Sequence, residues 1–404
     1  MSGIKILDMS RILAAPFASM LLGDLGADIV KVEIPTTGDD TRAWGPPFTD
    51  NGLMSAYFAC VNRNKRSITV DFKKPEGQEI IRRLVMESDV LLENYVPGTL
   101  KKYGLDYEEL GGINPRLIYC SITGYGPDGP YKDRIGVDVI VEAMAGLMHI
   151  TGYPDGKPAK VGVAITDLCT GLYAHGAIMA ALIARSKTNK GQKIDCSLLE
   201  TQVSCLANIA SNYLIANKEA QRMGTSHPSI VPYQTFETED GHIMIGATND
   251  NQWIKLTKIM MTIASEHPSL QETINALSDS KYKTNADRVR HRSILVPMLE
   301  SLFKLKSTSS WLTILDDSGL SYAPINNIEQ TFKDPQVIHR KMIEEVEHPA
   351  YGKIKLTGVP VKFSDTKATI RTPPPILGEH TDMVLKELGY SDSQIQQLRA
   401  QRVI

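Results

Sequence analysis

The first half of the chain alternates short apolar runs with longer stretches of helical spacing. Residues 4–9 read as a buried strand and 13–25 as a helix, with Pro16 tolerated in its first turn. Gly26 ends that helix, and 27–33 form a second strand. A third strand is expected over 67–72. Pro75 then opens a helix over 75–87, as proline does at a first helical position. Further strands fall at 89–93 and 116–122. Strands and helices alternating at this spacing predict an α/β fold built on a parallel sheet. An extended run over 161–167 leads into an apolar helix at 171–184, closed by Arg185 and Lys187, cations suited to a helix C-terminus.

The second half reads differently. Residues 193–200 lead into an apolar helix reaching about 217. Strands at 233–237 and 242–246 flank Glu239-Asp240-Gly241, a hairpin turn. Helical spacing returns at 251–261, 284–303 and 310–317. This α+β stretch predicts a smaller domain at 225–325. The larger domain then takes 1–205 and 330–404, with linkers at 206–224 and 326–329.

Composition narrows the function. Of 404 residues, 42% are hydrophobic and 22% charged, ordinary for a globular protein. No apolar run reaches the ~18 residues of a membrane span, so none is expected. A formal net charge of −2 leaves no broad polycation for nucleic acid. Five scattered cysteines without a C-x-x-C pair suit a reducing compartment and argue against disulfides or a zinc site, so no metal is expected. Cys169 reads as a small buried thiol, not a nucleophile. The chain enters its first strand at once, without a signal peptide or leader, so it is expected to be cytoplasmic or to lack its transit peptide here.

The chemistry-bearing residues follow the strands. Asp167 lies near a helix start, where the dipole favours an ionised carboxylate; an N-cap is the plain alternative. No G-x-G-x-x-G follows the first strand and no P-loop sequence occurs. Instead, cations and turn residues gather at strand ends, in 61–67 with 70–73 and in 93–98 with Lys101 and Lys102. Such segments suit an anionic ligand at the carboxyl ends of parallel strands. Arg63 and Arg66, close to Tyr57, read as spare cations for a carboxylate.

Several phrases, in order and spacing, resemble the family III CoA-transferases, the group of formyl-CoA transferase and carnitine CoA-transferase. They include Leu22-Gly-Asp-Leu-Gly-Ala-Asp28, Lys31-Val-Glu33, Gly38-Asp-Asp-Thr-Arg42, Asn64-Lys-Arg-Ser67, Glu93-Asn94 with Pro97-Gly98, Gly124-Tyr-Gly126 and Asp167. The resemblance covers nearly the whole chain. It implies a Rossmann-like large domain, a smaller domain and two chains interlocked as a homodimer. It also implies acyl-CoA and carboxylic-acid substrates with no permanently bound cofactor.

Carried over residue by residue, Asp167 is the nucleophile. Coenzyme A contacts fall on Ile12, Val70, Asp71, Phe72, Lys73, Asn94, Tyr95, Pro97, Lys102, Arg134 and Asp138. Leu13, Tyr57, Arg63, Arg66 and His227 are expected at the acid. Leu13 and Ile34 replace the glutamine and arginine of formyl-CoA transferase, and 224–233 replaces its glycine loop, which argues against formate and oxalate. Phrases such as Glu93-Asn-Tyr-Val-Pro-Gly98 and Leu147-Met-His-Ile-Thr-Gly152 are similar to family members that use succinyl-CoA and glutarate, which implies a dicarboxylate substrate and a mitochondrial location. Two alternatives remain. A 2-methylacyl-CoA racemase needs a histidine where Val137 stands in Gly136-Val-Asp138. A catalytically silent CoA-binding dimer would have no use for Asp167.

Overall fold

The computed structural model describes residues 1–49 and 54–404. Six strands, β1 (Lys5–Asp8), β2 (Asp28–Glu33), β3 (Lys65–Thr69), β4 (Val90–Glu93), β5 (Ile118–Thr123) and β6 (Gln192–Ser197), form a parallel sheet. Their order is β3-β2-β1-β4-β5-β6. The order reverses between β1 and β4. Loops leaving the carboxyl ends of those two strands therefore diverge and open a crevice, where doubly wound sheets bind ligands.

Helices cover both faces, which is why the central strands β4 and β5 are buried along their whole length. On one face lies α2 (Pro75–Glu87), whose Ile80, Ile81, Leu84 and Val85 are buried with Leu7, Leu91 and Tyr119. Helix α3 (Tyr107–Ile113) adds Leu110 to that layer. On the other lie α1 (Ala14–Asp24), α4 (Asp138–Met144) and α5 (Ile165–Thr188). Their Ala15, Ala18, Val141, Ala174 and Ile178 pack with Ile6, Ile29, Leu92 and Ile118. Small residues let α1 and α5 approach closely: a Cβ on Gly171 would stand 2.7 Å from the Ala14 carbonyl oxygen. Helix α5 is the one helix, among the described residues, long and apolar enough by length and composition to cross a membrane. Thr166, Asp167, Thr170 and His175 interrupt it, so no unbroken apolar run arises, and Ala174 and Ile178 pack it onto the sheet.

The chain forms two compact units. The first comprises Met1–Met148, Lys160–Lys218 and Pro335–Ile404. It includes α6 (Leu198–Cys205) and α7 (Asn208–Ala216). Near the C-terminus, α8 (Thr381–Glu387) and α9 (Asp392–Ala400) return to the α2 face through Val384, Leu385, Ile395 and Leu398. The second unit comprises His149–Ala159 and Glu219–Asp334. Its antiparallel sheet runs β7 (Tyr233–Glu237), β8 (His242–Gly246), β9 (Ser321–Pro324). Its core holds Phe236, Phe303 and Trp311 in ring contact. The unit takes in 149–159, which the sequence reading left with the larger domain.

Three local expectations need correction. Strand β3 begins at Lys65, not 67, because Lys65 is fully buried and its Nζ donates to Asp8 Oδ2 at 3.0 Å. Helix α5 begins at Ile165, not 171, so Asp167 sits inside the first turn and the N-cap position belongs to Ala164. The helix expected to run to 217 is broken at Ala207, whose φ is 47°, into α6 and α7.

Candidate active site

A cavity of about 440 Å³ opens at the carboxyl ends of β1, β4 and β5. Its wall includes Ile12 and Leu13 after β1, Asn94, Tyr95 and Pro97 after β4, and Thr123–Tyr125 after β5. Asp167 lies in the opposite wall, with Asp138 and Val137 beside it. The Asp167 backbone N–H donates to Asp138 Oδ1 at 3.1 Å, tying the first turn of α5 to the start of α4. No ion pair engages the Asp167 carboxylate among the described residues. Burial, and then the neighbouring Asp138 charge, push its pKa up from 3.8 to about 7. The result is a basic, poorly solvated carboxylate facing open space. Tyr57 stands in the same wall, its ring edge-on to Trp44 at 5.1 Å. Burial and the Asp167 charge raise the Tyr57 phenol pKa, so it stays protonated.

A second cavity of about 210 Å³ adjoins the first, and Arg11 and Tyr95 line both. Phe72 lies there between Tyr95 and Tyr103, ring centroids 5.6 and 5.5 Å away, and Lys73 stands at the edge. The Arg11 guanidinium lies 5.3 Å from the centre of the Tyr95 ring. An aromatic shelf beside cations suits a flat base carrying phosphates. The two cavities together fit a long ligand with an anionic, aromatic end and a reactive end at Asp167.

The loop between β1 and α1 is held unusually. Ile12 adopts φ of 74°, a region that β-branched residues avoid. Its N–H donates to both carboxylate oxygens of Asp39, each at 3.2 Å. Asp39 pairs with Lys31 at 3.0 Å, both side chains fully buried, and Lys31 Nζ donates to the Ser10 carbonyl at 2.7 Å. Asn94 accepts from the Arg11 N–H at 2.9 Å and donates to the Arg11 carbonyl at 2.7 Å.

The structure brings together Ile12, Leu13, Tyr57, Asn94, Tyr95, Pro97, Arg134, Asp138 and Asp167 around the first cavity, and Phe72, Lys73 and Tyr95 around the second. Other expected positions lie elsewhere. Val70 is a fully buried core side chain. The Asp71 carboxylate accepts the N–H of Lys73, and Lys102 is an exposed side chain that lines neither cavity, although its neighbour Tyr103 lines the second. Arg63 is not a spare cation: it is 3% exposed, forks onto Asp24 with contacts of 2.9 and 2.7 Å, and donates to the Thr357 carbonyl. Arg66 is likewise committed, to Asp28 and Glu387 at 2.7 and 2.8 Å. The loop expected to be a cationic rim is therefore largely an internal network of ion pairs. His227 belongs to the second unit, stacked on Tyr233 with centroids 5.4 Å apart and accepting the Ser229 N–H.

Sequence reasoning missed Arg11, Trp44 and Lys132, all of which line the first cavity. Arg11 adjoins the chosen Ile12, and Lys132 lies two residues from Arg134. A cation in the same strand-end loop was the available signal.

A doubly wound sheet with a carboxylate of raised pKa in the wall of its switch-point crevice, and an aromatic cavity beside it, has the architecture of a ligand-binding α/β protein. Comparison with known proteins places it further: residues 1–381 match the model of CoA-transferase family III, and the chain belongs to that family. It is 51% identical over its whole length to 90% of the human succinyl-CoA:glutarate CoA-transferase. It is 44% identical, over 96% of its length and 95% of the relative's, to the succinate–glutarate CoA-transferase of Agrobacterium fabrum. Among solved structures, a CAIB/BAIF family protein from Brucella suis superposes with a TM-score of 0.85 at 43% identity, covering 96% of this chain and 98% of that one. The family, the fold and the CoA-transferase class expected from the sequence are all met.

Proposed function

We propose that the protein moves CoA from succinyl-CoA to a dicarboxylic acid such as glutarate, with Asp167 carrying the transfer. A carboxylate oxygen of Asp167 attacks the thioester carbonyl. The carbon–sulfur bond breaks, leaving an aspartyl–succinyl anhydride and CoA thiolate. The thiolate attacks the aspartyl carbonyl, succinate leaves, and an aspartyl–CoA thioester remains. The acceptor carboxylate attacks that thioester, and the expelled thiolate takes the acyl group from the new anhydride, regenerating Asp167. Every step exchanges one acyl bond for another, so the thioester's energy is kept and no net proton transfer is needed.

The observation that carries this reading is the half-buried Asp167 carboxylate, facing the first cavity with its pKa raised to about 7. Raised basicity strengthens an oxygen nucleophile. The Phe72–Lys73 shelf supports binding of the remote end of CoA, whose grip holds the reacting end in place. Two relatives named for succinate and glutarate support the choice of acids. We further propose a homodimer, and a mitochondrial location on the resemblance to animal members of the family.

Intact-mass spectrometry tests the chemistry. Mixing with succinyl-CoA should add CoA to the peptide bearing Asp167, and glutarate should then release glutaryl-CoA. Asp167→Ala should lose transfer by at least about 10³-fold while still binding CoA. Turnover retained in that variant would end the proposed mechanism. Deuterium entering the α-carbon of a 2-methylacyl-CoA would favour the racemase instead, although Val137, at the position of its histidine, carries no proton-transfer group.

A further inference from the structure

Ile12, one of several residues of the first unit with positive φ, is not isolated from the site. Ile12 and Leu13 share an apolar cluster with Tyr57, Ala164 and Leu168, and the last two flank Asp167 on either side. Ile12 and the turn that presents the carboxylate thus pack against one buried cluster, Leu13, Met20 and Val61, and line one cavity, while the Ile12 backbone sits where a β-branched residue does not go unaided. Both oxygens of Asp39 hold the Ile12 N–H, and Lys31 holds Asp39 and the Ser10 carbonyl at once. Thr41 completes the clamp, its N–H and hydroxyl donating to Asp39 Oδ1 at 3.0 and 2.8 Å.

We propose that Asp39 is a positioning residue for acyl transfer: it holds Ile12 in the left-handed conformation, which sets the adjoining Leu13 in the cluster that seats the first turn of α5, and so aims Asp167 at the thioester. A buried carboxylate costs desolvation that its partners must offset, and besides Lys31 and Thr41 those partners include the N–H of the strained Ile12. Such a carboxylate is a sound way to fix a wall of a cavity to a fraction of an ångström, because each partner of Asp39 is itself fixed. The proposal rests on the Asp167 transfer reading and deepens it by naming what orients the nucleophile.

The test follows formation of the covalent CoA adduct by rapid-quench mass spectrometry, with CoA affinity measured separately by calorimetry. Asp39→Asn keeps an acceptor for Ile12 but loses the charge facing Lys31. It should slow adduct formation by about ten- to a hundredfold while CoA affinity changes by less than about threefold. Adding Ile12→Gly, which occupies positive φ without strain, should recover at least about threefold of the lost rate. Amide exchange in the peptide around Ile12 should quicken in Asp39→Asn. If that variant does not fold, Thr41→Val loosens Asp39 without stranding a charge and should move rate and exchange the same way. Adduct formation at the wild-type rate by folded Asp39→Asn or Thr41→Val overturns the proposal, as does failure of Ile12→Gly to recover any rate. Wild-type protein that forms no adduct overturns the transfer reading itself, and is distinguishable because the exchange difference at Ile12 would persist.

Discussion

Asp167 takes its chemistry from its surroundings. An aspartate at an open helix start would titrate near the ordinary carboxylate value, whereas here burial and Asp138 raise it to about 7. Two pH dependences follow. Adduct formation needs the ionised form, so its rate should climb about tenfold per pH unit below 7 and level off above it. For stability the sign is opposite. The folded state keeps the Asp167 proton above the ordinary value of 3.8, so between about pH 4 and 7 it binds more protons than the unfolded chain. Its stability therefore falls as pH rises through that window. The melting temperature of Asp167→Asn should gain on that of the wild type from pH 4 to pH 8, and a gap constant with pH would contradict the assigned shift. Arg63 makes the reverse point. Its buried fork onto Asp24 is structural, so Arg63→Met should cost about 3–5 kcal/mol in chemical denaturation. The KM values for donor and acceptor should not move in the folded enzyme. Sequence proximity to Tyr57 suggested a carboxylate partner for Arg63, and there is one, but it is internal.

At the scale of elements, the crevice depends on how α1 and α5 meet. Gly171 packs directly on the Ala14 carbonyl and lies 2.9 Å, by its would-be Cβ, from the Phe17 ring. Gly171→Val should therefore push the two helices apart, lowering stability by about 1–3 kcal/mol as read from the denaturation midpoint. It should also slow the adduct step, since Asp167 lies one turn earlier on the same helix. A melting temperature at or above wild type would mean that the helices can separate freely. Helix and strand existence was legible here, with α2 and the β7–β8 hairpin matching to the residue, because Pro75 and the Glu239-Asp-Gly241 turn mark their limits locally. The starts of β3 and α5 were not. Lys65 looked like a surface cation until Asp8 and the Pro16 carbonyl were seen to hold it. Residues 165–170 lacked a capping signal, because Ala164 precedes them with no side-chain acceptor.

For the whole molecule, the first unit leaves large apolar side chains in water. Leu214 and Ile215 on α7 are 80% and 86% exposed, and α7 buries none of its residues within the described chain. Such a surface suits a second copy, and sedimentation should find a dimer that Leu214→Glu with Ile215→Glu weakens; an unmodified monomer would remove the homodimer proposal. By itself, the sequence determined the alternating α/β plan, because strand runs and turn residues are local features with strong spacing; its motifs, in order, pointed to the family and through it to Asp167 and part of the cavity wall. The tertiary structure alone decided which charges are free. Arg63 and Lys65 stand in a loop that reads as free cations in one dimension, yet folding buries them and pairs them with Asp24 and Asp8, far back along the chain, while Lys31 and Asp39 are buried as a pair between β2 and the loop after it. Whether a charge meets water or another charge is fixed by long-range packing, which no local pattern encodes. That same packing sets the conformation of Ile12 and the basicity of Asp167.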